Sequence, residues 1–307
     1  MRTARDTLMS NASSSTAIVY ALLANLGIAV AKTVAAVITK SGAMLAEAIH
    51  SFADCANQLL LFLGLRQSKK APTAEHPMGY GRETYFWAFI VAILLFSIGG
   101  MFSIYEGIHK IQHPEHIKNA AFAIGVLVLA IVLESFSLAG AVRVIKQRKE
   151  PLWKFFVTSR ESELIVVLAE DVAALVGLIF ALLAVIATVI TDNPLFDALG
   201  SLFIGIVLVC VAVTVGYEVK QLLIGKSAEP KEQDEILKFI NNRKEVDKVY
   251  NMITQHYGPD IMVAVKVKMK EEKDVRKIVL QTNQIERDLK AQFPKVKFSF
   301  FEIDNKK

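Results

Sequence analysis

Residues 163–189 read ELIVVLAEDVAALVGLIFALLAVIATV. The run exceeds the roughly 20 residues that a helix needs to cross a bilayer. Between Leu164 and Ile179 everything is apolar except one pair of neighbours, Glu170 and Asp171. Two adjacent carboxylates in lipid are costly unless a cation, a proton or a buried partner meets them, so ionisable residues at this depth mark an ion or substrate path. This stretch decides the class: a membrane helix, packed in a bundle, with a polar task.

Working outward, similar apolar stretches cover 16–38, 42–65, 84–108, 119–142 and 198–222. Several contain polar residues, as helices packed against one another do. The whole composition agrees. Of 307 residues 53% are hydrophobic and only 21% charged, with a mean hydropathy of +0.40. These values exclude a disordered chain and argue against a purely soluble one. Cys55 and Cys210 lie far apart inside apolar runs, so neither a disulfide framework nor a Cys-rich zinc cluster can be built. A cleavable signal peptide is not expected, because the first span is too long and more spans follow.

The formal charge of +5 is distributed, not clustered. Arg2, Arg5, Arg66, Lys69, Lys70, Arg82, Arg143, Lys146, Arg148, Lys149, Lys154, Arg160, Lys220 and Lys226 fall on one side of the six spans. Lys40, Lys110 and Lys118 fall on the other. The positive-inside rule then puts both termini in the cytoplasm, as an even number of spans requires. It also accounts for the basic stretch 143–160 without nucleic acid. The Ser13, Ser14, Ser15 patch precedes the first span.

Beyond Gly225 the composition changes. Ile236, Phe239 and Ile240 have helical spacing. Val246 to His256 reads as a strand, and Gly258-Pro259-Asp260 as a turn. Ile261, Val263, Val265, Val267 and Met269 alternate with a face bearing Lys266 and Lys268, the pattern of a half-buried strand. Asp274 caps a helix running to Phe293, and Val296 to Ile303 forms a last strand. The expected fold is a membrane all-α bundle of six transmembrane helices (residues 1–225) plus a small cytoplasmic α+β domain (226–307), ordered helix–strand–strand–helix–strand.

The candidate chemistry sits in the second and fifth spans. His50 and Asp54 are four apart and share a helix face, offering the nitrogen and oxygen donors of half a tetrahedral zinc-type site. Glu47 lies three residues before His50. Paired with Glu170 and Asp171, the two spans hold one imidazole and at least two carboxylates at similar depth. Structural hydrogen bonding is the competing reading, since a single HxxxD spacing is common by chance. Asn25, Asn57 and Gln58 read as interhelical hydrogen-bonders. Lys32 snorkels or pairs with an acid, and Glu134 is a structural partner or a relay. Gly99-Gly100 and Gly200 permit close helix approach. His109, His113 and His116 read as a solvated outer loop.

Three motifs carry a resemblance. They are Ser41-Gly42-Ala43-Met44-Leu45-Ala46-Glu47-Ala48-Ile49-His50-Ser51 followed by Asp54, then His76-Pro77-Met78-Gly79-Tyr80-Gly81-Arg82, and Asp197-Ala198-Leu199-Gly200-Ser201-Leu202. Together they resemble the cation diffusion facilitator family of divalent-metal transporters, over nearly the whole chain. The Glu-Asp pair and Phe86-Trp87-Ala88-Phe89 are most similar to the branch containing the mitochondrial zinc transporter nine. The resemblance implies homodimers of six-helix protomers, a ferredoxin-like C-terminal domain, and export of divalent metal from the cytosol, usually in exchange for protons.

Carried over by residue, the resemblance implies that His50, Asp54 and Asp171 bind metal. Four residues before Asp171, where the family has another ligand, stands Val167; Glu170 or a water is then the fourth. At the family's inner-loop site His76 remains, but Thr73 and Tyr80 replace an acid and a histidine. At its tail site Tyr250, Lys266 and Glu302 replace ligands, Asp304 alone is kept, and His256 is isolated. Both accessory sites are therefore expected to be absent or weak. The expected function is a non-enzymatic secondary transporter of Zn²⁺ in the cell (inner) membrane, with Mn²⁺, Fe²⁺ or Co²⁺ as alternative cargo. A non-transporting regulatory protein of the same fold is the other reading, and it takes Val167 as its reason. No resident cofactor is expected.

Overall fold

A computed structural model describes residues 25–146 and 151–305. The beginning of the first span, together with Arg2, Arg5, Ser13 to Ser15, Arg148 and Lys149, lies outside the described residues. Within them, α1 (Asn25–Thr39) is followed by α2 (Gly42–Ser68), α3 (Glu83–Leu94), a π-helical segment (Leu95–Met101), α4 (Phe102–Gln112), α5 (Ala120–Lys146), α6 (Leu152–Thr158), α7 (Ser162–Thr191) and α8 (Leu195–Ile224). The tail adds α9 (Pro230–Asn241), β1 (Val246–Tyr257), β2 (Asp260–Met269), α10 (Val275–Gln292) and β3 (Val296–Ile303).

Among the described residues five helical stretches are long and apolar enough to cross a membrane, and α1 is a shorter apolar helix. The observed helices overrun the expected spans by a few residues at several ends, where polar residues continue the helix beyond the apolar window. Two features differ from expectation. The third span is interrupted by the π segment around Gly99-Gly100, and the basic connection 143–160 contains the short helix α6. Single-turn π bulges leave no mark on hydrophobic periodicity.

The described residues form two compact units. The first takes residues up to 63, 88–149 and 164–217; the second takes 64–87, 150–163 and 218–307. The ends of several membrane helices therefore belong with the tail.

In the first unit small residues let helices touch. A Cβ on Gly100 would come within 2.7 Å of Val209 Cγ2, and one on Gly200 within 2.5 Å of the Ala184 Cβ. These contacts agree with the close approach expected from the glycines. The core is built from Ala35, Ala43, Met44, Leu95, Leu127, Leu178 and Leu208. Large apolar side chains also face outward: Val37 is 73% exposed, Phe136 73% and Ile190 78%. An apolar periphery around a helical bundle suits lipid, not water.

One end of this unit is tied together across three connections. Lys118 N donates to Thr39 O at 2.8 Å, and Lys40 pairs with Glu115 at 3.1 Å. The Asp197 carboxylate accepts from Ser41 Oγ at 2.5 Å, Gly42 N at 2.6 Å and Ala43 N at 3.3 Å. It thereby caps the N-terminus of α2 from another helix. Lys40, Lys110 and Lys118, the basic residues read as one side of the bundle, all lie in or beside these connections.

In the second unit the tail has the expected helix–strand–strand–helix–strand order of a ferredoxin-like domain. β2 is central, antiparallel to β1 (His256 opposite Ile261) and parallel to β3 (Val267 opposite Ile303). Ile261, Val263, Val265, Val267 and Met269 are buried with Ile236, Ile240, Ile285 and Leu289, as the alternation required. Asp274 caps α10 by accepting from Arg276 N at 2.9 Å. The inner loop packs on the β1–β2 turn: Tyr85 Oη donates to Gly258 O at 3.0 Å and Tyr257 Oη to Gly79 O at 3.1 Å. Gly81 and Gly258 meet backbone to backbone, which leaves no room for a Cβ on either, and Gly258 has φ +65°.

His256 is not isolated. It is buried, with Nε2 3.6 Å from Glu232 Oε2, while Lys295 Nζ lies 2.8 Å from Glu232 Oε1. Burial favours the neutral form of Glu232, but His256 and Lys295 outweigh it and hold the carboxyl down to about 2. A carboxyl held below its ordinary value contributes stability above about 4.5 and loses it as pH falls towards about 2. Discounted for solvent screening, the contribution is roughly 1–2 kcal/mol. Glu232→Gln should accordingly speed hydrogen exchange of β1 and β2 amides at pH 7 and change it little at pH 2. Equal acceleration at both pH values would show that the charge is not responsible.

Candidate metal centre

Three helices of the first unit place carboxylates around one small cavity. Its volume is about 30 Å³, against the roughly 10–15 Å³ that a water molecule needs. Asp54 and Ser51 come from α2, Glu134 from α5, and Glu170 and Asp171 from α7; Asn25, Gln58 and Val167 complete the polar and apolar walls. The helical period explains the three contributions of α2, since Ser51, Asp54 and Gln58 are three and then four apart on one face.

On α7 Glu170 and Asp171 both reach the cavity, although neighbouring helix residues point about 100° apart. Val167, one turn before Asp171, reaches it too and offers only methyl groups.

His50 stands beside this cavity rather than in its lining. It is fully buried, with Nδ1 3.5 Å from Asp54 Oδ1, and neither ring nitrogen has a hydrogen-bond partner. Asp54 Oδ1 is likewise without one. Glu170 accepts from Asn57 Nδ2 at 2.6 Å, and Asp171 accepts from Ser137 Oγ at 3.2 Å. The carboxylates therefore engage neutral amide and hydroxyl donors. Among the described residues no three His, Cys, Asp or Glu side chains lie close enough together to hold a metal ion. The arrangement gathers donors of the right kind around one space, and closing them on a cation takes side-chain movement.

Several roles left open by the sequence are decided by these contacts. Asn57 bonds between helices, as expected, whereas Asn25 and Gln58 line the cavity. Glu134, which the sequence left as structural partner or relay, is a cavity wall. It stood out as the acid of its span, but nothing in the sequence fixed which way it faced. Lys32 pairs with Glu47 at 3.1 Å and leaves Glu170 to Asn57. At the unit's tied end, His109 and His113 stack with ring centroids 5.0 Å apart, and His116 lies 3.6 Å from Asp192.

The two accessory positions are filled by other chemistry. In the inner loop Thr73 Oγ1 lies 3.3 Å from Tyr80 Oη, and the Tyr80 ring packs on His76 at 4.6 Å. In the tail the Lys266 ammonium bridges Glu302 at 3.0 Å and Asp304 at 2.6 Å, and Tyr250 Oη donates to Asn305 O at 2.9 Å. A lysine charge thus sits between the acids that remain there.

Comparison with known proteins adds a family match and three relatives. Residues 18–224 match the cation efflux transmembrane domain family. The chain is 31% identical over 225 residues to metal tolerance protein C4 of Arabidopsis thaliana, covering 72% of this chain and 49% of that protein. It is 32% identical over 260 residues to the mitochondrial proton-coupled zinc antiporter SLC30A9 of Xenopus laevis, covering 83% and 46%. At 22% identity it also matches the cation-efflux pump FieF of Salmonella arizonae over 83% of this chain and 81% of that pump. The chain spans about half the length of the first two relatives.

Proposed function

The chain belongs to the cation efflux family, the cation diffusion facilitators, which are multi-pass membrane transporters and not enzymes, and from that premise we propose that it exports Zn²⁺ in exchange for protons. The observation that carries the reading is the cavity walled by Asp54, Glu134, Glu170 and Asp171, with His50 against Asp54. Four carboxylates in an apolar bundle are built for positive charge. The imidazole favours zinc over calcium or magnesium, while the oxygen-rich shell also accepts Mn²⁺, Fe²⁺ or Co²⁺. We assign His50, Asp54 and Asp171 as ligands, with Glu170 as the fourth.

The same donors explain proton coupling. Metal binds ionised carboxylates and neutral imidazole, so protons and metal compete for one set of atoms. When the site faces the cytoplasm, metal binds and protons leave; when it faces the other side, protons displace metal. Cytoplasmic termini, residence in the cell (inner) membrane, a homodimer, and a division between membrane and cytoplasmic parts at residue 225 complete the proposal.

The full chain in proteoliposomes with an imposed pH gradient tests it. Zn²⁺ should move against protons, and collapsing the gradient should stop net movement. A panel of Mn²⁺, Fe²⁺ and Co²⁺ ranks the cargo. A folded protein that moves none of them supports the regulatory reading, which the apolar Val167 wall favours.

The role of Glu170 has its own test. As a ligand, Glu170→Gln and Glu170→Asp should each weaken Zn²⁺ binding at least tenfold, about 1.4 kcal/mol or more. Unchanged affinity in Glu170→Gln beside a lost site in Asp171→Asn would reduce Glu170 to a partner of Asn57.

A further inference from the structure

Lys32 on α1 and Glu47 on α2 are both fully buried and lie 3.1 Å apart. The Lys32 ammonium also donates to Ser51 Oγ at 2.8 Å. Ser51 lines the carboxylate cavity, so a single hydroxyl stands between the ammonium and that space. The second Glu47 oxygen, Oε1, has no hydrogen-bond partner and faces Gly177 on α7 so closely that a Cβ there would come within 2.5 Å.

The spacing places Glu47 on the face of α2 that lines the cavity. Glu47, Ser51 and Asp54 are four and then three residues apart, one face of α2. Gly177 follows Glu170 by seven on α7. The two helices therefore run together from the level of Asp54 and Glu170 to that of Glu47 and Gly177, about 10 Å away at the helical rise. A buried ion pair seldom stabilises more than apolar groups of the same shape would. Bundle stability alone gives little reason for this one, and its position beside a cation cavity gives another.

Resting on the transport reading, we propose that Lys32 is a tethered cation that competes with the transported one, and that Glu47 is a second station on its route. While a divalent ion occupies the cavity, Glu47 holds the ammonium. When the ion moves along the shared face of α2 and α7, the flexible lysine swings past Ser51 towards the cavity carboxylates and leaves Glu47 to the ion. The ammonium repels an ion in the cavity, which limits affinity and hastens release. Glycine at 177 leaves space for Glu47 Oε1 that any side chain would take. The surrounding carboxylates, Asp54, Glu134, Glu170 and Asp171, supply the charge that the lysine exchanges onto.

The test uses the full chain, with equilibrium Zn²⁺ binding and proteoliposome Zn²⁺ flux measured on the same preparations. Lys32→Met should bind a second equivalent of Zn²⁺ per chain. Its first site should tighten at least about tenfold, and turnover should slow by a similar factor. Lys32→Met/Glu47→Gln should lose the second equivalent but keep the tighter first site. Lys32→Arg should retain wild-type stoichiometry. One equivalent of wild-type affinity in Lys32→Met would overturn the proposal. Should that variant not fold, the neutral double variant decides alone: a tighter first site supports the tethered cation, and wild-type affinity and flux reduce the pair to structure. Wild-type protein that neither binds nor carries a divalent ion would remove the transport reading and this proposal with it. Wild-type binding with unaltered variants removes this proposal only.

Discussion

Asp54→Ala and Asp171→Ala should each abolish Zn²⁺ flux while leaving a folded protein. Asp54 links the two groups of donors in the proposed site, lying 3.5 Å from His50 and in the wall of the cavity that Glu134, Glu170 and Asp171 share. Asp171 faces it from α7, with Val167 offering no substitute one turn away. Removing one partner from a partly buried charge cluster costs about 3–5 kcal/mol, roughly two to almost four orders of magnitude if all of it falls on affinity. Alanine is a strong helix former and neither helix depends on these side chains for capping, so the bundle should persist. Flux in proteoliposomes and size-exclusion profiles in detergent read the two halves of the expectation. Near-normal transport by Asp171→Ala would remove it from the site.

Asp197→Ala should instead fail in folding, with transport lost as a consequence. Its carboxylate takes three hydrogen bonds from Ser41 and the first amides of α2, joining the starts of α2 and α8. Without it the first amides of α2 are left unpaired in a buried environment. The cost is about 3 kcal/mol, several buried hydrogen bonds to a charge being lost together. Asp197→Asn should recover part of this, since the amide oxygen still accepts but carries no charge for the helix dipole. Thermal unfolding in detergent measures the order, wild type above Asn above Ala. Full-length protein with wild-type stability and lost transport in Asp197→Ala would make Asp197 part of the transport path instead.

Membrane helices and the αββαβ tail were legible because each rests on local pattern. An apolar run of more than about 20 residues has one stable outcome in a bilayer, as all its backbone groups are satisfied internally. The period-two burial of Ile261 to Met269 likewise permits one face only. The acids at 54, 170 and 171 were conspicuous because charge in such runs is expensive. The sequence by itself thus determined the class, the order of elements in the tail and which residues bear the cost, but not the π segment or α6.

Which acids meet which partners belonged to the tertiary structure. Lys32 had several candidate acids to pair with, and only the packing of α1 on α2 gives it to Glu47. Glu134 was an unassigned acid until the rotation of α5 turned it into the cavity. Asp197 read as a motif residue, and its cap on α2 is a contact across 155 residues of chain. Lys266 replaces a family ligand in sequence, but only the pairing of β2 with β3 brings its ammonium between Glu302 and Asp304. The physical reason is common to all four. Hydrophobic periodicity fixes which face of an element is buried, because burial depends on the element's own repeat. The partner of a buried charge is fixed by helix rotation and register, which arise from the fit of many side chains at once and leave no trace in any single stretch.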